Sequence, residues 1–303
     1  MSKFQLILLF VFGAFIILAV LLFSFSPSSK EEAAKIVIWG DVPSYEFNEM
    51  LNKTKLSSDE VVNYIYVEKK RDTFDQVFVE ALAEGRGPDL ILMPLENIWK
   101  NGTRLTPISY KSIGEGDFKN TFIESGELLL TANGIYALPI LQDPMVLYWN
   151  RDLLTKEAFA KPPAYWDEIY EYAEKLSKKD AAGNLIKSTI TLGESNNIPH
   201  AKDILALLML QAGTPITYYA NGELTAGISQ NFNLSTVPGE SALSFYTQFA
   251  NPLKPFYSWN RSLKTASTAF AAGDTAMYIG FSSEVKQLKA KNPNLNIGIS
   301  LVP

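Results

Sequence analysis

Phe74, Val77, Phe78, Ala81 and Leu82 recur at i, i+3, i+4, i+7 and i+8, the apolar stripe of a helix that buries one face. Thr73 and Gln76 stand three apart at its start, the spacing of a capping box, and Gly85 stands where a left-handed C-terminal cap is wanted. Pro88 forbids continuation of the helix. Leu90 to Met93 then form a short, continuously apolar run of the kind buried on both faces of a parallel sheet, and Pro94 closes it. Upstream, Ile36-Val37-Ile38-Trp39 and Val61 to Val67 have the β-branched and aromatic content of strands. Strands alternating with helices predict an αβ lobe built on a parallel sheet.

The pattern predicts a second lobe after Pro139. Helices are expected near Trp166 to Leu176, Asp203 to Ala212 and Ser241 to Ala250, where apolar residues keep helical spacing. Asp180-Ala181-Ala182-Gly183-Asn184 reads as a turn by its Asp and Gly, and Thr189 to Gly193 as a short strand. Thr275 to Ile279 and Ile297 to Val302 close the set as two more strands. Trp166, Tyr170 and Tyr246 fall on the helical stripes, which assigns them to the core or a lobe surface. No internal repeat of solenoid period is present.

One segment departs from this globular pattern. Phe4 to Phe23 is an apolar run with Gln5 as its one strongly polar residue, long enough as a helix to cross a bilayer core of about 30 Å. A cleaved signal peptide has a shorter apolar core and an Ala-x-Ala-like site. Here the best small-x-small sequence, Ser24-Phe25-Ser26, is followed by Pro27. An uncleaved anchor is therefore the expectation, with a cleaved signal peptide as the alternative. Lys3 on the short side orients it only thinly by the positive-inside rule. Residues 1–34 are read as transmembrane anchor and polar tether, 35–139 as the first lobe and 140–303 as the second, which places the lobes outside the cytoplasm at the cell membrane.

Composition narrows the chemistry. With 47% hydrophobic and 19% charged residues the chain can bury a sizeable core. A net charge of −5 and the absence of clustered Lys and Arg argue against nucleic acid as partner. There are no cysteines, which excludes disulfides, thiol nucleophiles and thiolate metal sites. His200 is the one histidine, so no multi-histidine metal site exists, and its place after Pro199 at a helix start suggests a structural or surface role. Neither a metal nor a cofactor is implied. A glycoside hydrolase needs only two carboxyl groups, for which Asp143 and Glu96 could be proposed, but sequence gives no distance between them. Ligands of open α/β sheets bind beyond the carboxyl ends of the strands. That rule selects Trp39 and Asp41 after the first strand, and Met93 and Glu96 after the third. The bland alternatives are a packed strand-end Trp and a turn-forming Asp.

Six pieces, in order along roughly residues 35 to 303, resemble the family 1 extracellular solute-binding proteins of ABC importers, the maltose-binding protein group. They are Ile36-Val37-Ile38-Trp39-Gly40-Asp41; Ala83-Glu84-Gly85-Arg86-Gly87-Pro88-Asp89; Gly134 to Pro139, similar to the family's strand between lobes; Leu147-Tyr148-Trp149-Asn150-Arg151-Asp152-Leu153-Leu154; Pro163-Ala164-Tyr165-Trp166-Asp167-Glu168; and Phe270-Ala271-Ala272-Gly273-Asp274-Thr275-Ala276-Met277. Tyr165 stands where the family usually has Thr, so another group must satisfy the free amides of that helix. Family members continue beyond the position of Pro303, which implies that both lobes are incomplete in this chain.

The resemblance implies an α/β, two-lobed periplasmic-binding-protein-like fold with a ligand cleft between lobes, preceded here by one transmembrane helix. The implied function is noncatalytic: delivery of a small solute, most often a carbohydrate, to ABC importer permease subunits by closure of the lobes. A solute-sensing ectodomain signalling through a partner is the alternative from another class. The resemblance adds Asp143, just after the crossing strand where sugar-binding relatives place an acidic residue. It also adds Phe281, where relatives often have an aromatic platform, with Ser282 beside it. Thr214 after the Gln211-Ala212-Gly213 helix end and Trp259 near Pro255 complete the candidates on the second lobe.

Overall fold

The computed structural model describes residues 35–54, 63–220 and 223–303. The apolar run Phe4 to Phe23, its tether, and Val61 and Val62 lie outside the described residues. Among the described residues, no helix is long and apolar enough to cross a membrane. The chain divides into two compact units, Met1–Ile140 and Leu141–Pro303.

The first unit opens with β1 (Lys35–Gly40), α1 (Ser44–Asn52), β2 (Asn63–Glu68), α2 (Phe74–Ala83) and β3 (Leu90–Leu92). The three strands form a parallel sheet in the order β2-β1-β3. Helix α2 lays Phe74, Phe78 and Ala81 against Trp39, as its stripe predicts. Its C-terminus is a Schellman turn: Gly85 takes φ 69°, Arg86 N–H donates to the Ala81 carbonyl and Gly85 N–H to that of Leu82. The expected capping box at the other end is not formed, because Gln76 is drawn along the helix to donate to Glu80. Asp89 stitches the next strand in, its backbone N–H donating to Val37 O and its carboxylate accepting from Val37 N–H.

The strand at Leu90 is shorter than the apolar run suggests and is not buried on both faces, Leu90 being 54% exposed. It lies at the sheet edge with β1 as its one neighbour. After it come α3 (Leu95–Lys100), α4 (Glu115–Thr121) and the short hairpin β4 (Leu130–Thr131) with β5 (Gly134–Ile135). Ile98, Phe118, Leu129 and Ile135 form a small second core here. Gly134 to Pro139 is thus not a crossing strand. Gly134, at φ 130° and with the Ile108 carbonyl where a Cβ would stand, is committed to a tight hairpin, and the pairing ends at Ile135.

The second unit runs β6 (Met145–Asn150), α5 (Arg151–Lys156), α6 (Glu168–Leu176), β7 (Lys178–Lys179), β8 (Leu185–Ile190), α7 (Ala201–Gln211), β9 (Thr217–Ala220), β10 (Glu223–Ala226), α8 (Pro238–Gln248), α9 (Ala266–Ala271), β11 (Thr275–Phe281), α10 (Val285–Lys291) and β12 (Ile297–Ser300). Its main sheet has the order β12-β6-β11-β8-β7, with β11 parallel to β8 and antiparallel to β6. Residues Thr275 to Gly280 of β11 are buried throughout. Strand β8 starts before the expected Thr189, because Asp180 closes the preceding turn through its carboxylate, which accepts from the Ala182 and Asn184 N–H groups. The backbone N–H groups of Thr189 and Ile190 converge on the buried Ser258 hydroxyl at 3.1 and 2.8 Å. The pair β9 and β10, with Asn221-Gly222 between them, carries a hairpin signal that helical periodicity does not reveal.

Two helix starts illustrate local control. Asn150 caps α5 by accepting from Asp152 and Leu153 N–H. Before α6, the Glu168 carboxylate reaches back to the N–H groups of Ala164 and Tyr165 at 2.6 and 3.2 Å, supplying the acceptor that Tyr165 cannot.

Candidate functional site

In the first unit the carboxyl ends of β1 and β3 bring Trp39, Asp41 and Met93 to one neighbourhood of the sheet. Trp39 packs into the core against α2, and the Lys69 ammonium stands 3.8 Å from its ring centroid. That cation–π contact covers one face of the ring. Asp41 is held by Arg71 Nε at 2.5 Å, its side chain 5% exposed while that of Arg71 is 77% exposed. The exposed guanidinium thus lies over an otherwise enclosed carboxylate. Met93 is half-buried and packs against both apolar clusters of this unit. Glu96 is exposed in the first turn of α3.

In the second unit β11 ends at Phe281, and the chain passes into a 3-10 turn, Ser282–Glu284, that leads directly into α10. Asp143 meets this turn from the segment before β6. Its carboxylate accepts from Ser282 Oγ at 2.8 Å, Ser283 N–H at 2.9 Å and Ser283 Oγ at 2.6 Å. Partial burial pushes the Asp143 pKa up, but the three donors, helped by nearby His200, outweigh it and hold the carboxyl below its usual range. A carboxylate offers about four lone-pair positions, so three donors leave one for an outside hydroxyl. Ser282 is half-buried, and its hydroxyl is turned toward Asp143.

Four residues that the sequence did not single out as ligand contacts complete this rim. Glu284 accepts from Phe281 N–H, from His200 Nε2 and from Tyr278 OH, at 2.8, 2.8 and 2.7 Å. The His200 and Phe281 rings form a T-shaped pair, with centroids 4.9 Å apart and planes at 84°. Tyr148 OH donates to the Phe281 carbonyl at 2.7 Å, and burial pushes its pKa up to about 12. Ser283 supplies two of the donors to Asp143. The signal that could have found them is the three-residue step from Phe281 to Glu284 immediately after a strand end, the spacing at which a Glu side chain turns back on a backbone N–H.

Two other candidates lie elsewhere. Trp259 is fully buried in the core of the second unit, its indole N–H donating to Asn197 Oδ1 at 2.9 Å. Thr214 is fully buried as well, with its hydroxyl unpartnered. A cavity of about 270 Å³ opens at the amino end of β11, where Lys187 and Lys264 both bind the Asp274 carboxylate at 3.1 and 3.0 Å. Burial raises the Asp274 pKa, and the two lysines more than reverse it. Among the described residues, no group of three or more His, Asp or Glu side chains is placed to hold a metal ion.

Comparison with known proteins fits this architecture. Residues 68–303 match the family described as bacterial extracellular solute-binding protein. A protein of Brucella abortus strain 2308 named as a binding protein is 26% identical over 190 residues, an alignment spanning 62% of this chain and 42% of the relative. The chain thus matches less than half the length of these curated relatives. Among solved structures, a cyclo/maltodextrin-binding protein complexed with maltotetraose superposes with a TM-score of 0.68 at 18% identity, covering 91% of this chain and 66% of the other. A solute-binding protein of an ABC transporter from Thermotoga lettingae, bound with alpha-D-tagatose, gives 0.61 at 20% identity over 89% and 68%. A cyclic alpha-maltosyl-1,6-maltose binding protein from Arthrobacter globiformis gives 0.67 at 16% identity over 89% and 66%. These likenesses establish the two-lobed α/β fold, and each of these structures is of a binding protein. The chain belongs to the bacterial extracellular solute-binding protein family.

Proposed function

We propose that this protein is the extracytoplasmic receptor of an ABC importer and that its solute is a carbohydrate. The observation that carries the reading is the rim at the end of β11. There the partly exposed Phe281 lies beside the hydroxyls of Ser282 and Ser283 and one unused acceptor position of Asp143. An apolar ring face with a few fixed polar groups is what a sugar ring requires. Asp41 beneath Arg71, with Met93 and Glu96, is the corresponding set on the first unit. Delivery proceeds by lobe closure over the solute and docking on permease subunits. The apolar run Phe4 to Phe23 is the proposed single-pass anchor that keeps the receptor at the membrane.

Maltotetraose and D-tagatose are the first probes, by thermal shift and calorimetry. Ligand at a hundred times Kd stabilises by about 2.7 kcal/mol, a clear rise in melting temperature. Asp143→Ala should weaken binding about tenfold through loss of a charged acceptor. It should also lower the ligand-free melting temperature, because the same carboxylate ties down the Ser282–Glu284 turn. Absence of any stabilisation across a panel of mono- and oligosaccharides would overturn the carbohydrate reading.

A further inference from the structure

The carboxylate of Glu284 occupies space that only a glycine leaves open. A Cβ built on Gly280 would stand 2.6 Å from Glu284 Oε1 and 2.7 Å from a ring carbon of Tyr278. Gly280 has no left-handed φ, so the backbone there does not itself require glycine. What requires it is the close return of the Glu284 side chain across the strand end. That side chain sits at the centre of a three-way junction: Oε1 accepts from Phe281 N–H and His200 Nε2, and Oε2 from Tyr278 OH. Glu284 and His200 are both mostly buried, with side chains 17% and 21% exposed. Phe281 therefore has its backbone fixed by Glu284, its carbonyl by Tyr148, and its ring by a T-shaped contact with the imidazole that Glu284 itself holds.

We propose that Glu284 and His200 are positioning residues, a second layer that sets the orientation of the Phe281 ring and thereby the affinity for solute. This rests on the reading of Phe281 as the solute platform. Neither residue need touch the ligand. A platform locked before binding loses little rotamer freedom when a ring stacks on it, so pre-organisation appears as affinity. The geometry also predicts which replacement preserves function. Glu284→Gln keeps the Oε1 acceptor for Phe281 and His200, while its amide donates to a Tyr278 oxygen that can accept. Glu284→Ala removes all three contacts.

The test uses the full chain and two independent readouts. Hydrogen exchange over residues 278–285 reports the junction without any ligand. It should be slow in the wild type and in Glu284→Gln, and fast in Glu284→Ala and Gly280→Ala. His200→Leu, which removes the imidazole but leaves the Phe281 N–H bond to Glu284, should keep slow exchange. Calorimetric titration with maltotetraose and with D-tagatose reports the consequence. Glu284→Ala and His200→Leu should each weaken binding about tenfold, and Glu284→Gln should stay within twofold of wild type. Unchanged exchange in Glu284→Ala overturns the proposal whatever the solute. Fast exchange with unchanged affinity overturns the link between the junction and the platform. If no sugar binds the wild type while exchange behaves as described, the positioning of Phe281 stands and the carbohydrate reading is what fails.

Discussion

The two units place their candidate groups on very different foundations. In the second, Phe281 ends a strand whose preceding six residues are all buried, between β6 on one side and β8 on the other. Met277, Tyr278 and Ile279 within the strand, and Leu147, Tyr148, Phe249, Phe270 and Trp259 of the same core, are completely enclosed. In the first, the candidates sit on a three-stranded sheet whose strand β3 is an edge, with Leu90 54% and Trp99 47% exposed. The polar groups differ in the same sense. Asp143 is tied by three short bonds within its own unit, whereas Asp41 leans on one arginine that is itself mostly in water. Rigid support gives a fixed platform. The end of β11 is therefore a prebuilt surface, whereas the Asp41 carboxylate rests on a single exposed side chain.

The largest effect that could break this contrast is in the core. Trp259→Ala should destabilise the second unit by about 3 to 5 kcal/mol, since it opens a cavity in a close-packed interior and leaves Asn197 Oδ1 without its donor. Hydrogen exchange should show lost protection along β11 while β1 is unchanged. Lost affinity at unchanged stability would instead return Trp259 to the site. Next comes acid. The folded-state pKa of Asp274 is held down by Lys264 and Lys187, so its contribution to stability is present above the ordinary carboxylate pKa and disappears as pH falls through the folded value. Melting scans from neutral pH to about pH 3 should show the second unit weakening below the ordinary carboxylate pKa of about 4, and Asp274→Asn should flatten that slope. A slope unchanged in the variant would assign the acid sensitivity to other carboxylates. The smallest effect is at the edge. Leu90→Ser should change stability by no more than about 0.5 kcal/mol, because over half of that side chain already faces solvent. A loss of several kcal/mol would mean that β3 is covered in solution and that the contrast is overstated.

How much of this was legible depends on whether the signal was local. The α2 stripe, the Gly85 cap and the strand nature of Ile36 to Trp39 follow from neighbours a few residues apart, and each appears where the pattern puts it. The burial of Leu90 was misjudged because an apolar run states what a strand could bury, not whether it has a neighbour on both sides. Trp259 looked like a ligand aromatic because nothing near it in sequence announces Asn197, 62 residues away. Glu284 carried a local signal in its three-residue step from Phe281, whereas His200, assigned a structural or surface role by its place after Pro199, gave no sign of its partner. Their meeting joins residues 84 apart, and composition marked the histidine only as solitary.

The strand order of the second sheet sets a timetable for its assembly. Strand β11 lies in the middle, yet it is synthesised last but one, well over a hundred residues after β6 has been made. Sheets closed by such distant pairings fold slowly, since chain closure must precede the contacts that reward it. At about 5 to 20 residues per second, β6 and β8 wait for several seconds on a ribosome with open hydrogen-bonding edges. The edges of Met145–Asn150 and Leu185–Ile190 are then the aggregation-prone surface of the nascent protein. The arrival of Ser258 and then of Thr275–Phe281, which turn their N–H and C=O groups inward, ends that exposure.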